Sequence, residues 1–325
     1  VSTKILGTKI RGSRFGMRLH RVAPLGLALG LIWLGAAAPA GAGGMTQEAF
    51  PNAQQAFDSF VAAERIDEKR ELLHMLGVAG GKLIYSGDPV ADREHRQRFV
   101  AAYDQGHRVD AAAADKAFLV VGTDPWTFPI PVVRQGDAWR FDTAAGLQKI
   151  LSRRIGRNEL DVMQVCRAYV IAQREFAARS HPGGAAPEYA RKFRSSAGAH
   201  DGLYWEARPG EDESPLGPLV ASARAEGYGG DRRNGPHHPY HGYFFRILER
   251  QGRNAPGGAR EYVVNGHMTA GFGLLAFPAK WGDSGVMTFM VDQHGIVFEK
   301  NLGAGTATLA RHITAFDPDR SWRTP

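Results

Sequence analysis

One cysteine, Cys166, among 325 residues removes disulfides from the ways in which this chain can hold a fold. With no second thiol there is no intrachain cross-link, so stability has to come from packed apolar surface. The composition allows it: 43% of the residues are hydrophobic and 22% charged, an ordinary globular balance on a chain long enough for two cores. Cys166 itself stands in an apolar stripe at helical spacing with Val162, Val165, Tyr169 and Phe176, which reads as a core position and not as a catalytic thiol.

The formal charge of +7 suggests an anionic partner until it is located. Residues 1–42 carry Lys4, Lys9, Arg11, Arg14, Arg18 and Arg21 with no acid, so the rest of the chain holds only +1. That near balance gives no electrostatic case for nucleic acid or an anionic membrane. The basic segment reads instead as a secretory signal: Met17, the expected start, with Arg18 and Arg21 makes a positive region, Pro24–Leu34 an apolar core, and "GAAAPAGAGG" a cleavage site after Ala40 or Ala42. The apolar run of 11 residues is short of the roughly 20 that a membrane span needs. A periplasmic or secreted protein with no span after cleavage is the expectation, and the distance of Cys166 from the cleavage region excludes a lipid-modified cysteine there.

Two α+β domains are expected beyond residue 42, at about 45–155 and 158–325. The first runs from helices to strands. Ala53, Ala56, Phe57, Phe60 and Val61 share one helical face; "DEKRELLHMLGVAGG" and "DREHRQRFVAAYDQG" read as two further helices. "KAFLVVG", "WTFPIPVV" and "GDAWRFD" read as strands, the second confined to an edge or a bulge by Pro129 and Pro131. The basic run "KILSRRIGR" reads as a solvated junction, followed by a helix capped by Asn158 with Glu159 and Asp161 in its first turn. Later, Ser214, Pro215 and Gly227 bound a short helix; "GYFFRILER", "EYVVNG", "FGLLAFPA", "VMTFMVD" and "IVFEK" are strands, with Gly295 at a left-handed turn position and "TATLARHITAF" a last helix.

Residues that could carry chemistry are few. Gly282-Asp283-Ser284-Gly285 surrounds a serine as in chymotrypsin-like proteases, yet it lies between two apolar strands, where Asp, Ser and Gly suit a reversing chain. His237, His238 and His241 fall within five positions and suit zinc or copper, but Pro236 and Pro239 break any helix that would aim two of them together. No phosphate-loop motif and no other cofactor signature is present. Glu211, Asp212 and Glu213 sit in a polar loop with nothing to raise a pKa. Tyr204, Trp205, Tyr240, Tyr243, Phe244 and Phe245 read first as core; of these, Trp205, Tyr240 and Tyr243, with His241, are the residues a ligand surface would draw on.

"DPWTFPIPVVRQGDAWRFDTAAG", "RRIGRNELDVMQVCRAYVIAQREFA", "DGLYW", "SPLGPLVASARAEGY", "PYHGYFFRIL", "QGRNAPGGAREYVVNGHM" and "FPAKWGDSGVMTFMVDQHGIVFEKNLG" together resemble an exported bacterial family, domain of unknown function 2950, from about Phe50 to Trp322. The first half also resembles the curved-sheet fold of nuclear transport factor 2. The second is similar to the soluble head of type IV pilins and pseudopilins, without the uninterrupted apolar helix with which pilins begin. Plentiful turn and packing residues with no set of acid, base and nucleophile lead to the expectation of a non-catalytic binding or scaffold module for an envelope protein, peptide or glycan. A hydrolase using Ser284 or the three histidines, metal-dependent or not, is one alternative; an accessory subunit of a pilus-like or secretion assembly is the other.

Overall fold

The computed structural model describes residues 47–179, 187–228 and 238–325, and Gly44–Pro325 form one compact unit. The expected signal segment and His237 lie outside the described residues. The architecture is mixed helix and antiparallel sheet, α+β as expected.

Helices α1 (Ala53–Ile66), α2 (Lys69–Leu76), α3 (Gly81–Ile84) and α4 (Pro89–Gln105) open the described chain. The Asn52 side chain caps α1 by accepting the Gln55 N–H at 2.8 Å, and the helix buries Ala56, Phe57, Phe60 and Val61, the face its spacing provides. The sheet beside them comprises β1 (His107–Ala113), β2 (Lys116–Val121), β3 (Trp126–Thr127), β4 (Val132–Gln135) and β5 (Ala138–Phe141), in the order β1-β2-β4-β5 with β3 also on β2. Phe57, Phe60, Leu119, Ile130 and Phe141 fill the space between the layers; each such side chain contributes roughly 2–3 kcal/mol by leaving water.

"WTFPIPVV" does not form one strand. Pro129 and Pro131 lack the N–H that a ladder needs, so pairing with β2 stops after Thr127 and resumes at Val132. Phe128, Ile130 and Val132 are buried, whereas Trp126 remains 41% exposed.

Helix α5 (Thr143–Arg179) runs for 37 residues, about 55 Å at the usual rise, straight through the expected junction. Asn158 is therefore not an N-cap; it is a buried residue in mid-helix. Gly156 costs the helix only about 1 kcal/mol, which packing on either side outweighs. Nor is the basic run fully solvated: Arg154 donates to Lys82 O at 2.9 Å and Leu83 O at 3.0 Å, satisfying carbonyls that α3 leaves open.

Helix α6 (Gly217–Ala225) begins later than the sequence suggests. Ser214 O accepts the Gly217 N–H in a tight turn, and the buried Ser214 hydroxyl has no partner among the described residues; the helix carries Pro218 in its first turn, and Gly227 follows at φ +90°. Next come β6 (Tyr243–Leu248), the two-residue ladders of β7 (Arg250–Gln251) with β8 (Arg260–Glu261) and β9 (Val263–Val264) with β10 (His267–Met268), then β11 (Gly273–Pro278), β12 (Met287–Asp292), β13 (Phe298–Asn301) and helix α7 (Thr306–His312). "EYVVNG" yields only short ladders because Asn265 and Gly266, both at positive φ, reverse the chain at once.

The second sheet is a four-stranded antiparallel meander, β13-β12-β11-β6. Alternation along β11 serves both faces: Leu274 and Ala276 join Val162, Cys166 and Tyr169 of α5, while Leu275 joins Met290, Ala310 and Phe316. Cys166 is fully buried, and burial pushes its thiol up to about 12.

Between α1 and α4, Arg65 pairs with Asp104, and Arg96 Nη2 with Asp67 Oδ2 at 3.1 Å. Glu64 lies beside Arg96. Burial above all, with Asp67 and Asp92 adding and Arg96 opposing, pushes its carboxyl up to about 7 from an ordinary 4.5. The folded state thus keeps a proton that the unfolded chain releases, so this contribution to stability is complete below pH 4.5 and is lost as the pH rises through 7. Glu64→Gln is expected to match the parent near pH 4 and to exceed it at pH 8 by about 3 kcal/mol in urea denaturation. Equal midpoints at pH 8 would remove Glu64 from the pH dependence.

Candidate functional site

The loop Ser86-Gly87-Asp88-Pro89 holds the most heavily bonded side chain on the polar seam between the two cores. An aspartate followed by proline is a helix-start signal, and Asp88 Oδ1 accepts the N–H groups of Val90 and Ala91 at 3.2 and 3.1 Å as the N-cap of α4. Its other oxygen leaves the helix. Oδ2 accepts the Tyr228 hydroxyl at 2.8 Å and the Gly242 N–H at 2.9 Å, 140 and 154 residues further along the chain. Asp88 is 1% exposed, and four donors take the place of the water that burial removes from its two side-chain oxygens.

The expected ligand residues Tyr240 and His241 lie on this seam. Their rings are 4.1 Å apart, and the Tyr228 ring is 4.9 Å from that of Tyr240. His241 takes φ +49°, a costly conformation for a residue with a side chain. Its Nδ1 is 3.5 Å from Asp161 Oδ2 and its Nε2 is 3.3 Å from Glu226 Oε2, so each ring nitrogen faces a carboxylate. Burial first, then those two acids, raises the Tyr240 hydroxyl above its usual range; burial and Asp88 do the same to Tyr228. The other two candidates turn their side chains away from the seam, although Tyr243 exchanges backbone bonds of 2.9 and 3.1 Å with Tyr240. Tyr243 is fully buried and donates to Met287 O at 2.9 Å, a core role. Trp205 stacks on His200, ring centres 4.2 Å apart, and donates to Asp212 O at 3.2 Å. His238 is exposed, and among the described residues no group of three or more His, Cys, Asp or Glu side chains is placed to hold a metal ion.

Ser284 is fully buried, and its hydroxyl is spent within its own turn. Oγ donates to Lys280 O at 3.1 Å and accepts the Lys280 N–H at 3.0 Å. The turn is held from α5: Asn158 Nδ2 donates to Ser284 O at 2.8 Å, and Glu159 Oε1 accepts the N–H groups of Val286 and Met287, both at 2.9 Å. Glycine is required on both sides of this contact. A Cβ on Gly285 would stand 2.1 Å from the Tyr243 hydroxyl, and one on Gly242 would stand 2.7 Å from Asn158 Nδ2.

A cleft of about 540 Å³ opens beside Tyr189, within the size range of small-ligand sites. Its rim is already paired: Arg191 grips Glu249 through two bonds of 2.9 and 3.0 Å, Lys192 Nζ meets Asp201 Oδ2 at 2.6 Å, and Glu188 meets His267 at 2.9 Å. The Lys192 bond, with help from Ser196, pulls the Asp201 carboxyl down to about 2. His200 also lines the cleft and carries the Trp205 stack on its other contacts.

The spacing of single residues does not reveal Asp88, Asn158 or Glu159 as partners of residues more than a hundred positions away. The helix expected from sequence begins at Asp92 and passes over Asp88-Pro89, the pair that marks its start; the duty of the second oxygen has no local signal. Asp88→Ala is expected to lower stability by roughly 3 kcal/mol or more, since it strips four buried donors of their acceptor, whereas Asp88→Asn, which keeps an acceptor oxygen, should cost less. Denaturant midpoints read both, and a loss under 1 kcal/mol for the alanine variant would deny the carboxylate this role.

Among the described residues no helix is long and apolar enough to cross a membrane. No curated protein and no solved structure matches the chain. The family described as "Protein of unknown function (DUF2950)" matches residues 47–324, across both cores, the Asp88 seam and the cleft. The chain belongs to the DUF2950 family.

Proposed function

We propose that this is an exported, non-catalytic binding module of the cell envelope, and that the cleft beside Tyr189 takes its ligand. One observation carries the reading: the cleft's charged rim is prepaired, Arg191 with Glu249 and Lys192 with Asp201, so its side chains are held in place before any ligand arrives. Prepaired charges favour neither a strong anion nor a strong cation. An uncharged polar chain, a glycan or a peptide backbone, is the class that such a surface accepts, with Tyr189 and the His200 ring, braced from behind by its stack on Trp205, as the ring faces. The N-terminal "RLHRVAPLGLALGLIWLGAAAPA" supports export. Ser284, spent in its turn, offers no support to a hydrolase.

The pilin-head likeness supports a second reading, an accessory subunit of a pilus-like or secretion assembly. Its specific support is Leu160 and Ile171, three helical turns apart on α5 and 59% and 63% exposed. That reading expects envelope machinery to co-purify with the chain and to be lost on Leu160→Asp.

The binding reading is tested by titrating the purified chain with soluble envelope glycans and peptides. Tyr189→Ala and Trp205→Ala are expected to weaken a bound ligand about tenfold or more, which is ~1.4 kcal/mol. A ligand indifferent to both substitutions, or one that the protein converts to product, sinks it.

A further inference from the structure

A second, smaller cleft lies where the α1–α2 link, the first turns of α4 and the Ser284 turn meet. It measures about 200 Å³ and shares no residue with the cleft beside Tyr189. Four cations line it, Lys69, Arg93, Arg96 and Lys280, against two carboxylates, Asp67 and Asp92. One oxygen of each acid is engaged, while the other oxygen of Asp67, Oδ1, is buried with no partner among the described residues. Asp67 Oδ2 is 3.1 Å from Arg96 Nη2, and Asp92 Oδ2 accepts the Ser86 N–H at 3.1 Å.

The cations keep donors to spare. Lys280 Nζ makes one bond, to Tyr85 O at 2.7 Å, and an ammonium has two further N–H groups. Lys69 stands 3.8 Å from Asp67 and 5.4 Å over the Tyr85 ring, a loose hold on both. Arg93 makes no hydrogen bond or ion pair among the described residues. The backbone donors of the α4 start are already taken by Asp88, so any attraction here belongs to the side chains. Formally the lining carries an excess of two positive charges in a space too small for a polymer.

We propose that this cleft binds a compact phosphoryl dianion, either free phosphate or the phosphate of a small monoester. Charge and donor geometry select it: guanidinium forks and ammonium groups on several walls suit an acceptor that offers oxygens in several directions. The Tyr85 ring on the same wall admits a short apolar substituent on an ester. The site stands independently of the glycan- or peptide-binding reading.

Titration of the full chain with inorganic phosphate and with glycerol 3-phosphate, followed by calorimetry at low and constant ionic strength, tests it. One saturable site per chain is expected, filled by phosphate alone if the free ion is the ligand and by both if an ester is. Arg93→Gln and Lys69→Gln, both at the surface, are expected to weaken binding about tenfold each, while Arg98→Gln, an exposed cation of α4 outside the cleft, leaves it unchanged. No saturable binding, or equal weakening by Arg98→Gln, overturns the proposal. Binding of the ligand beside Tyr189 should be indifferent to Arg93→Gln, so the two sites fail separately.

Discussion

Halfway along α5, Asn158 and Glu159 reach out of the helix and take hold of three backbone groups in the turn at Ser284 to Met287. A carboxylate accepting two N–H groups in a half-buried site is a strong, directional contact. It fixes where β12 begins, and through β12 the order of the whole meander. The same helix closes the first core with its early turns and floors the second with its later ones. A chain without disulfides thus uses one continuous rod where a cross-link would otherwise serve. The polar seam is arranged around that rod: Gly242 is a glycine because Asn158 of the rod and Ser284 of the turn leave no room for a Cβ, and Gly285 because the Tyr243 ring stands against it.

This arrangement also explains why residues that look reactive are quiet. The Gly-Asp-Ser-Gly segment resembles a nucleophile's setting only as a string of letters. In three dimensions its hydroxyl replaces a missing backbone partner within its own turn, and its flanking carbonyl belongs to Asn158. His241, held at positive φ between two acids, is a different case. Strain of this kind persists only where surroundings over-determine it, and here Asp161, Glu226 and the adjacent bond from Gly242 to Asp88 do so. Spare polar capacity lies elsewhere, in the donors of Lys280 and Arg93 at the smaller cleft.

How legible this was in the sequence depended on range. The Cys166 stripe, the α1 face, the hairpin at Gly295 and the strands of the meander follow from local period and turn chemistry, and all are present. Where the sequence misled, a local signal was outweighed by a distant partner. Asn158, Glu159 and Asp161 look like a helix start because acids favour that end; they sit in mid-helix, where the first two hold a turn some 126 residues away and Asp161 faces His241. Strand β1 escaped notice because it is exposed along nearly its whole length and shows no alternation to read. Of the candidate ligand residues, Tyr240 and His241 are side by side; Tyr243 pairs with Tyr240 through the backbone but turns its ring into the core, and Trp205 stacks on His200 instead. The α+β class needed only local information; the Asp88 seam needed the contacts.

Cys166 has one more implication. A solitary sulfur on the surface of a protein exposed to oxidants would sooner or later couple two copies through a covalent bridge, or climb toward sulfenic acid. Here the sulfur is shut away from water, and its proton is held so firmly that almost none of the reactive anion exists at neutral pH. At this position the chain is thereby shielded from disulfide exchange, and keeps its single thiol as if it were one more methyl group.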